Sequence, residues 1–423
     1  MVKNIVIIGG GPVGLIGAIM LYRKSNQAAH ITILEKRKAY TRQQVVVLDG
    51  TTITNLPFNM KLNVFATAGA YHENAINLMD DGCYVWPPLR DFYGYCDKTL
   101  DSKLMDEYLR SDDKPIALAV KISKLEKELE KWIRKYTTIK IVKPIETLKL
   151  YDTYVIADET KYPYDILIGA DGVNSQVRQA FFGPAKKLKR IESYGLAMII
   201  KTKNNKRVYR VFNSPDKTSH GYQSRVRFFR QTDYSVYLAL QLSPAEAAQF
   251  TDKRKIPDNL KPLIRDYLKI YDVDIKCKDL DSCIVDIALF PIEIYYASKV
   301  VDAKGKRFLV GDAAMTTHFF TGSGLNRGVE MFQFLSNYIF KEKVWAHSPQ
   351  IARHINIKDE YIKDYNSRLQ ENKNMVLDFG LDFDSIEKVC ETKTLDELKE
   401  MAKKVEMPTN LPKSELCYLL ANF

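Results

Sequence analysis

Residues 4–22 read NIVIIGGGPVGLIGAIMLY. The β-branched run Ile5-Val6-Ile7-Ile8 is right for a buried parallel strand and too short for a helix. It runs directly into Gly9, Gly10 and Gly11. Pro12 then presets φ for a first helical turn, and the pattern over 12–24 is that of a helix. Gly9, Gly11 and Gly14 fit the spacing GxGxxG. Gly9 permits the tight turn, Gly11 lets a diphosphate approach the backbone, and Gly14 lets the helix sit close to the strand. Pro12 and Val13 open the helix whose N–H groups and positive dipole end would face that diphosphate. HITILEKR at 30–37 is a second strand. It ends at Glu35, roughly 20 residues past the glycines, where a carboxylate can accept hydrogen bonds from a ribose. A strand–helix–strand opening calls for a parallel sheet covered by helices. The glycine turn alone leaves NAD, FAD and a ligand-free tight turn all open.

Composition narrows the class. A chain of 423 residues, 46% hydrophobic and 27% charged, suits a globular protein of one to three domains. No apolar run reaches the roughly 20 residues of a membrane span, and the N-terminus breaks into glycine rather than a signal cleavage site. The expected location is therefore cytoplasmic. Six cysteines without a CxxC pair indicate neither zinc nor a disulfide framework, and no metal is expected. Sixty-three Lys+Arg against 52 Asp+Glu give a charge of +11. In KISKLEKELEKWIRK at 121–135 the lysines are interleaved with acids, which describes a solvated surface, so nucleic acid is not an expected partner.

Downstream, ISKLEKELEKWIRKY at 122–136 is an amphipathic helix with Leu125, Leu129, Trp132 and Ile133 on one stripe. Short strands follow, up to YDILIGADG at 164–172. Beyond residue 190, SYGLAMIIKTK, GYQSRVRFFRQ and YSVYLALQLS form an antiparallel sheet that interrupts the dinucleotide fold. KRFLVGDAA at 306–314 returns to a buried strand, and helices fill most of the remainder.

Two further segments carry a resemblance. ILIGADGVNSQVR at 166–178, with Asp171, Gly172, Ser175 and Arg178, resembles the aspartate–glycine motif of the class A flavoprotein monooxygenases, the p-hydroxybenzoate hydroxylase family. RFLVGDAAMTTHFFTGSGLNRG at 307–328 resembles that family's glycine–aspartate motif through Gly311, Asp312, Gly322, Gly324, Leu325 and Asn326. The resemblance implies FAD as cofactor, with the Asp312 carboxylate on the ribityl hydroxyls and the later glycines near the flavin ring. LEKRKAYTRQQVVVL at 34–48 is similar to the start of the MICAL monooxygenases. That similarity places Glu35 and Lys36 at the adenosine ribose and Arg42 at the phosphates, with Gln43 a further cofactor-binding candidate. Arg42 offers the planar, permanently charged donor set that phosphate favours.

The implied fold class is α/β: a Rossmann-like FAD-binding domain of the GR2, p-hydroxybenzoate hydroxylase type, with an inserted antiparallel substrate domain and a helical C-terminus. The FAD-binding domain would comprise 1–72, 100–188 and 290–340, and the substrate domain 73–99 and 189–289. A helical region would span 341–423. The sequence departs from the family at Met315 and Phe319, where His and Pro are usual, and at Ser123 and Lys124, where Arg or Gln touches the flavin. Catalytic candidates are His318, the one histidine of the third motif, and Tyr222. Arg225, Arg227 and Tyr237 are candidates to line a substrate cavity, the arginines suiting an anion or phenolate.

CETKTLDELKEMAKKVEMPTNLPKSELCYLL at 390–420 is a separate unit. Thr394 and Glu397 form a capping box, and Leu395, Leu398, Met401, Ala402 and Val405 an apolar stripe. Through Cys390, Cys417 and the lysine before the second helix, the segment 387–423 resembles the two-cysteine adaptor module of large DNA viruses. This implies a viral source, location in host cytoplasm or virion, and a protein partner bound at this end. Two thiols without histidines do not make a zinc site, so both cysteines are expected buried and reduced.

The expected activity is FAD-dependent monooxygenation. NADPH or NADH would serve as transient co-substrate, and oxygen would pass to an aromatic or sulfur-containing acceptor, either a small molecule or a protein side chain. The alternatives are a flavin-binding scaffold without turnover, and a flavin-dependent halogenase or reductase. The halogenase Trp-x-Trp-x-Ile-Pro signature is absent.

Overall fold

The strand β1 (Asn4–Ile8) lies at the centre of a five-stranded parallel sheet. The computed structural model of the protein describes residues 3–42, 44–48, 52, 55–56, 65–67, 117–188, 193–203, 226–232, 235–252, 255–270, 273–317, 323–340, 357–379, 383–404, 409, 413, 416–417 and 420. After β1, helix α1 (Pro12–Lys24) crosses to β2 (His30–Leu34). Helix α2 (Ile122–Tyr136) leads to β3 (Lys140–Val142). A three-stranded antiparallel meander over 148–163 then connects to β4 (Ile166–Gly169), which is followed by helix α3 (Gln176–Phe181).

β1 pairs in parallel with β2 on one side and β4 on the other, Ile7 opposite both Ile33 and Ile168. The chain leaves this sheet for an antiparallel one made of β5 (Tyr194–Lys201), β6 (Val226–Thr232), β7 (Ser235–Leu242) and β8 (Ile284–Pro291), in spatial order β6-β7-β5-β8. It returns through β9 (Arg307–Leu309), which pairs with β4. The parallel order is thus β3-β2-β1-β4-β9. Strand order reverses between β1 and β4, the place where open α/β sheets form a crevice at their carboxyl ends.

Two separate cores result. The first holds β1, β2, α1, α2, β4, β9 and two long helices, α4 (Ser323–Phe340) and α5 (Ile357–Phe379). The second lies under the antiparallel sheet, where Leu196, Met198, Val236, Leu238 and Leu240 meet Ile264 and Tyr267. Alternation along β7 sends Val236, Leu238, Leu240 and Leu242 into that core and turns Tyr237, Ala239 and Gln241 to the opposite face.

Helix α1 is buried along most of its length, and its close crossing with α4 needs glycine at position 17: a Cβ there would lie 2.4 Å from the Phe332 ring. Helix α5 fastens the β9 end of the sheet. The buried Tyr361 hydroxyl donates to the carbonyl of Leu309 at 2.9 Å, and the Tyr365 hydroxyl to that of Ala297 at 2.7 Å. Among the described residues no helix is long and apolar enough to cross a membrane.

Two expectations about the C-terminal segment need correction. The capping box is present, with Glu397 accepting from the N–H of Thr394 and Thr394 Oγ1 from the N–H of Glu397. Leu398 and Ala402 are buried, but Leu395 and Met401 are exposed, so the apolar stripe is narrower than the sequence implied. Cys390 and Cys417 are not reduced thiols but a disulfide, and Cys277 pairs likewise with Cys283. The helix Phe383–Thr392 carries Cys390 back to within 5.2 Å, Cα to Cα, of Cys417, a closure that spacing along the chain does not reveal.

Candidate dinucleotide cleft

The crevice at the end of β1 is built from all three sequence motifs. Gly9 has φ +107° and lies against the β4 turn, where an added Cβ would sit 2.3 Å from the carbonyl oxygen of Ala170. A Cβ on Gly14 would meet the carbonyl oxygen of Gly9 at 2.0 Å, so α1 closes directly on the turn. Gly11 differs. Among the described residues its added Cβ meets within 4 Å only Nη2 of Arg37 and Nη2 of Arg42, both at 3.8 Å. Gly11 is also the N-cap of α1, with no side chain capping the helix and no acidic residue in its first turn. The first N–H groups of α1 are therefore available to an anion, with two guanidinium groups beside them.

Pro12 stands at the first position of α1, and Val13 reaches the third motif. A Cβ on Gly311, whose φ is +58°, would lie 3.4 Å from Val13 Cγ1, and one on Gly328 would lie 2.7 Å from Val13 Cγ2. Asp312 is thereby placed by the tight approach of α1 and α4. It is exposed, yet desolvation by the surrounding protein raises its pKa, opposed by the charge of Arg42. Gly324, at the start of α4, faces Asp312: an added Cβ would lie 3.6 Å from Asp312 Oδ1. Leu325 and Asn326 are buried, and Asn326 Oδ1 accepts from the hydroxyl of buried Thr52 at 2.8 Å.

Glu35 is buried at the end of β2. Its Oε2 accepts from the N–H of Gly10 at 2.8 Å, and its two oxygens take a paired donation from Arg37 Nε and Nη2 at 3.0 and 2.9 Å. Burial would raise its pKa. The hydrogen bonds and charge of Arg37, with the Gly10 N–H, outweigh this and hold it below the usual carboxylate value. Lys36 is exposed; the basic residue engaged here is Arg37, which the sequence reading passed over.

Glu126 was also missed. It is fully buried on α2, and its Oε1 receives Arg37 Nη1 at 3.0 Å and Arg42 Nη2 at 2.5 Å. The interleaved charges of α2 describe a solvated surface, and Glu126 departs from it. Glu126 is three residues from both Ser123 and Leu129 and seven from Ile133, all buried, so its helical position marks it as inward-facing.

One oxygen of Asp171 caps the helix that follows its motif. Its Oδ2 accepts from the N–H groups of Gln176 and Val177, at the start of α3. Burial raises its pKa, opposed by its hydrogen bonds with Ser175 and the α3 backbone. Met315 is buried and its N–H donates to the carbonyl of Gly311. Tyr237 is buried on β7 between Ile199 and Phe229, its phenol pKa raised by desolvation and then by Asp286. Arg227 stands opposite Ala239 in the ladder. Gln43, Tyr222, Arg225, His318, Phe319 and Gly322 lie outside the described residues.

No protein-family model matches the chain, and neither does any curated protein. Solved structures do. A flavoprotein/dehydrogenase from Cytophaga hutchinsonii is similar with a TM-score of 0.58 and 13% identity, over 100% of this chain and 93% of that one. A 2-methyl-3-hydroxypyridine-5-carboxylic acid oxygenase gives 0.52 and 16%, over 88% of each chain. The flavin-dependent brominase Bmp2 gives 0.54 and 12%, over 88% and 85%. At such identities the likeness is one of fold: the chain has the α/β architecture of these proteins, a parallel sheet with antiparallel sheets attached.

Proposed function

We propose that the protein is an FAD-dependent monooxygenase of class A, using NADPH or NADH as transient co-substrate. The observation that carries this reading is the meeting of three distant segments at one cleft: Gly11 with its two arginines at one end, Ala170 of the second motif against Gly9, and exposed Asp312 facing Gly324 at the other. An anion site joined to a carboxylate suits a diphosphate joined to a polyol. Arg37, Arg42 and the α1 N-terminus would hold the diphosphate, and Asp312 would accept from the ribityl hydroxyls. Glu35 would contribute less to the ribose than its motif implies, because Gly10 and Arg37 already engage both its oxygens. Similarity in fold to flavoproteins supports the choice of FAD over NAD.

When bound, the flavin would supply electron transfer from the nicotinamide and activation of oxygen. The chain's own part is to bind, orient and exclude water. The buried start of α4 packs Leu325 and Asn326 where the ring end of the cofactor would lie. Strands β5 to β8 would form the wall of the acceptor site, with Tyr237 a buried neutral phenol and Arg227 on the neighbouring strand; Arg225 and Tyr222 would be further candidates to line it. The acceptor would be aromatic or sulfur-containing. His318 would be the acid–base candidate of the third motif.

The two cores support a division into an FAD-binding domain and a substrate domain. We further propose that 387–423, with its own capping box, disulfide and buried Leu398, Ala402 and Leu416, docks a protein partner. The test of the activity is NAD(P)H oxidation and oxygen consumption by FAD-loaded protein, with and without aromatic or thioether acceptors. Acceptor-stimulated turnover is expected. Tight FAD binding with no nicotinamide oxidation under any condition would identify a scaffold instead.

A further inference from the structure

We propose that Glu126 is a positioning residue for the diphosphate of the bound dinucleotide, acting through Arg42. The inference rests on the FAD reading above and assigns a role to a side chain outside all three motifs. Glu126 is fully buried, on the inward face of α2. A buried carboxylate persists only where cations and donors compensate it. Here the compensation is two guanidinium groups on a single oxygen, Oε1, from Arg37 and Arg42. Those same two groups are the atoms nearest the open side of Gly11.

The two arginines are not held equally. Arg37 is locked by its paired donation to Glu35, so its place beside Gly11 survives without Glu126. Arg42 has a half-exposed side chain and is drawn to the cleft by Glu126. The backbone assists: the N–H of Ser123, on the first turn of α2, donates to the carbonyl of Arg42 at 3.2 Å. The start of α2 thus fixes both ends of Arg42. The charge of Arg42 also lowers the pKa of Asp312, against the desolvation that raises it. Glu126 uses one guanidinium nitrogen of Arg42 and leaves the remaining donors for a phosphate. Prior fixing of a long side chain removes an entropic cost of binding.

The test compares apoprotein affinities of wild type, Glu126→Ala, Glu126→Gln, Arg42→Ala and the double variant Arg42→Ala/Glu126→Ala. The probes are FAD, ADP and adenosine. Glu126→Ala is expected to weaken FAD and ADP about tenfold and leave adenosine unchanged. Glu126→Gln, which keeps an acceptor without the charge, is expected to weaken both about threefold, and it decides the matter if the alanine variant does not fold. The double variant is expected to bind FAD no worse than Arg42→Ala alone, because the two residues act as one unit. A purely structural role for Glu126 would lower adenosine affinity equally and give additive losses. FAD and ADP affinities in both Glu126 variants equal to or tighter than wild type would overturn the proposal and leave the FAD reading standing. A wild-type protein that binds neither FAD nor ADP would overturn both.

Discussion

Arg178 donates from its guanidinium Nη1 to the backbone carbonyl of Ala313 at 2.8 Å, across 135 residues of chain. The second motif thereby holds the third in place. Arg178 is buried, and its other amino group donates to the carbonyl of Val173. Desolvation lowers its pKa, and Asp171 opposes this. Replacing Arg178 with methionine leaves both carbonyls without this donor. The expected cost is about 2–3 kcal/mol in urea unfolding, together with loss of FAD binding. A variant of wild-type stability would show that the link between the motifs is dispensable.

The three glycines of the first motif should separate folding from binding. Among the described residues, Gly11→Ala adds a methyl that meets only guanidinium ends, at an N-cap φ of −72°, so the stability cost should stay within about 1 kcal/mol, the difference between glycine and alanine as N-cap. The same methyl occupies the expected diphosphate position, and FAD affinity should fall at least about tenfold. Gly14→Ala drives a methyl into the Gly9 carbonyl and should cost about 3 kcal/mol or more. Equal FAD affinity in folded Gly11→Ala would place the phosphates elsewhere.

Asp312 should show a conflict between stability and function. Its pKa in the folded protein is raised, so the folded state binds more protons than the unfolded chain. Stability from this group is full below the ordinary carboxylate pKa and is lost as pH rises through the raised value. Asp312→Asn removes that loss. Its Tm should exceed wild type at pH 7, with the difference vanishing below about pH 4. FAD binding should weaken in the same variant. A lower Tm at pH 7 would mean that the carboxylate is satisfied by the protein rather than reserved for a ligand.

Glu35 should behave in the opposite sense. Its folded-state pKa is lowered, so its contribution is present above the unfolded pKa and disappears as pH falls through the lowered value. Glu35→Gln should cost about 2 kcal/mol at pH 7, chiefly through Arg37, and little in acid below about pH 3. Denaturant unfolding at the two pH values checks this. A pH-independent cost would indicate packing rather than the ion pair.

Strands β1, β2 and β4 were legible because they are short β-branched runs ending in or running into glycine or acid, and helix α1 because Pro12 and the apolar pattern agree. The cleft was legible where the requirement is steric: Gly9 and Gly14 answer to backbone oxygens that an added Cβ would meet at 2.3 and 2.0 Å. It was less legible where the requirement is mutual. Glu126 and Arg37 acquire meaning only when α2 packs beside the end of β2, and a charge-rich helix conceals one buried acid among its solvated ones. Asp171 illustrates the reverse: a motif residue whose carboxylate also serves the start of α3. The Cys390–Cys417 disulfide depends on a chain reversal between two helices, which composition does not encode.

The central claim is that one extended FAD spans the cleft from Gly11 to Asp312. Its most direct measurement is the flavin content of the purified protein, by visible spectrum and by FAD released on denaturation, with titration of apoprotein for the remainder. The account predicts about one FAD per chain, lost in Gly11→Ala and weakened in Asp312→Asn. A colourless protein that shows no spectral change or fluorescence quenching when titrated with FAD would contradict it.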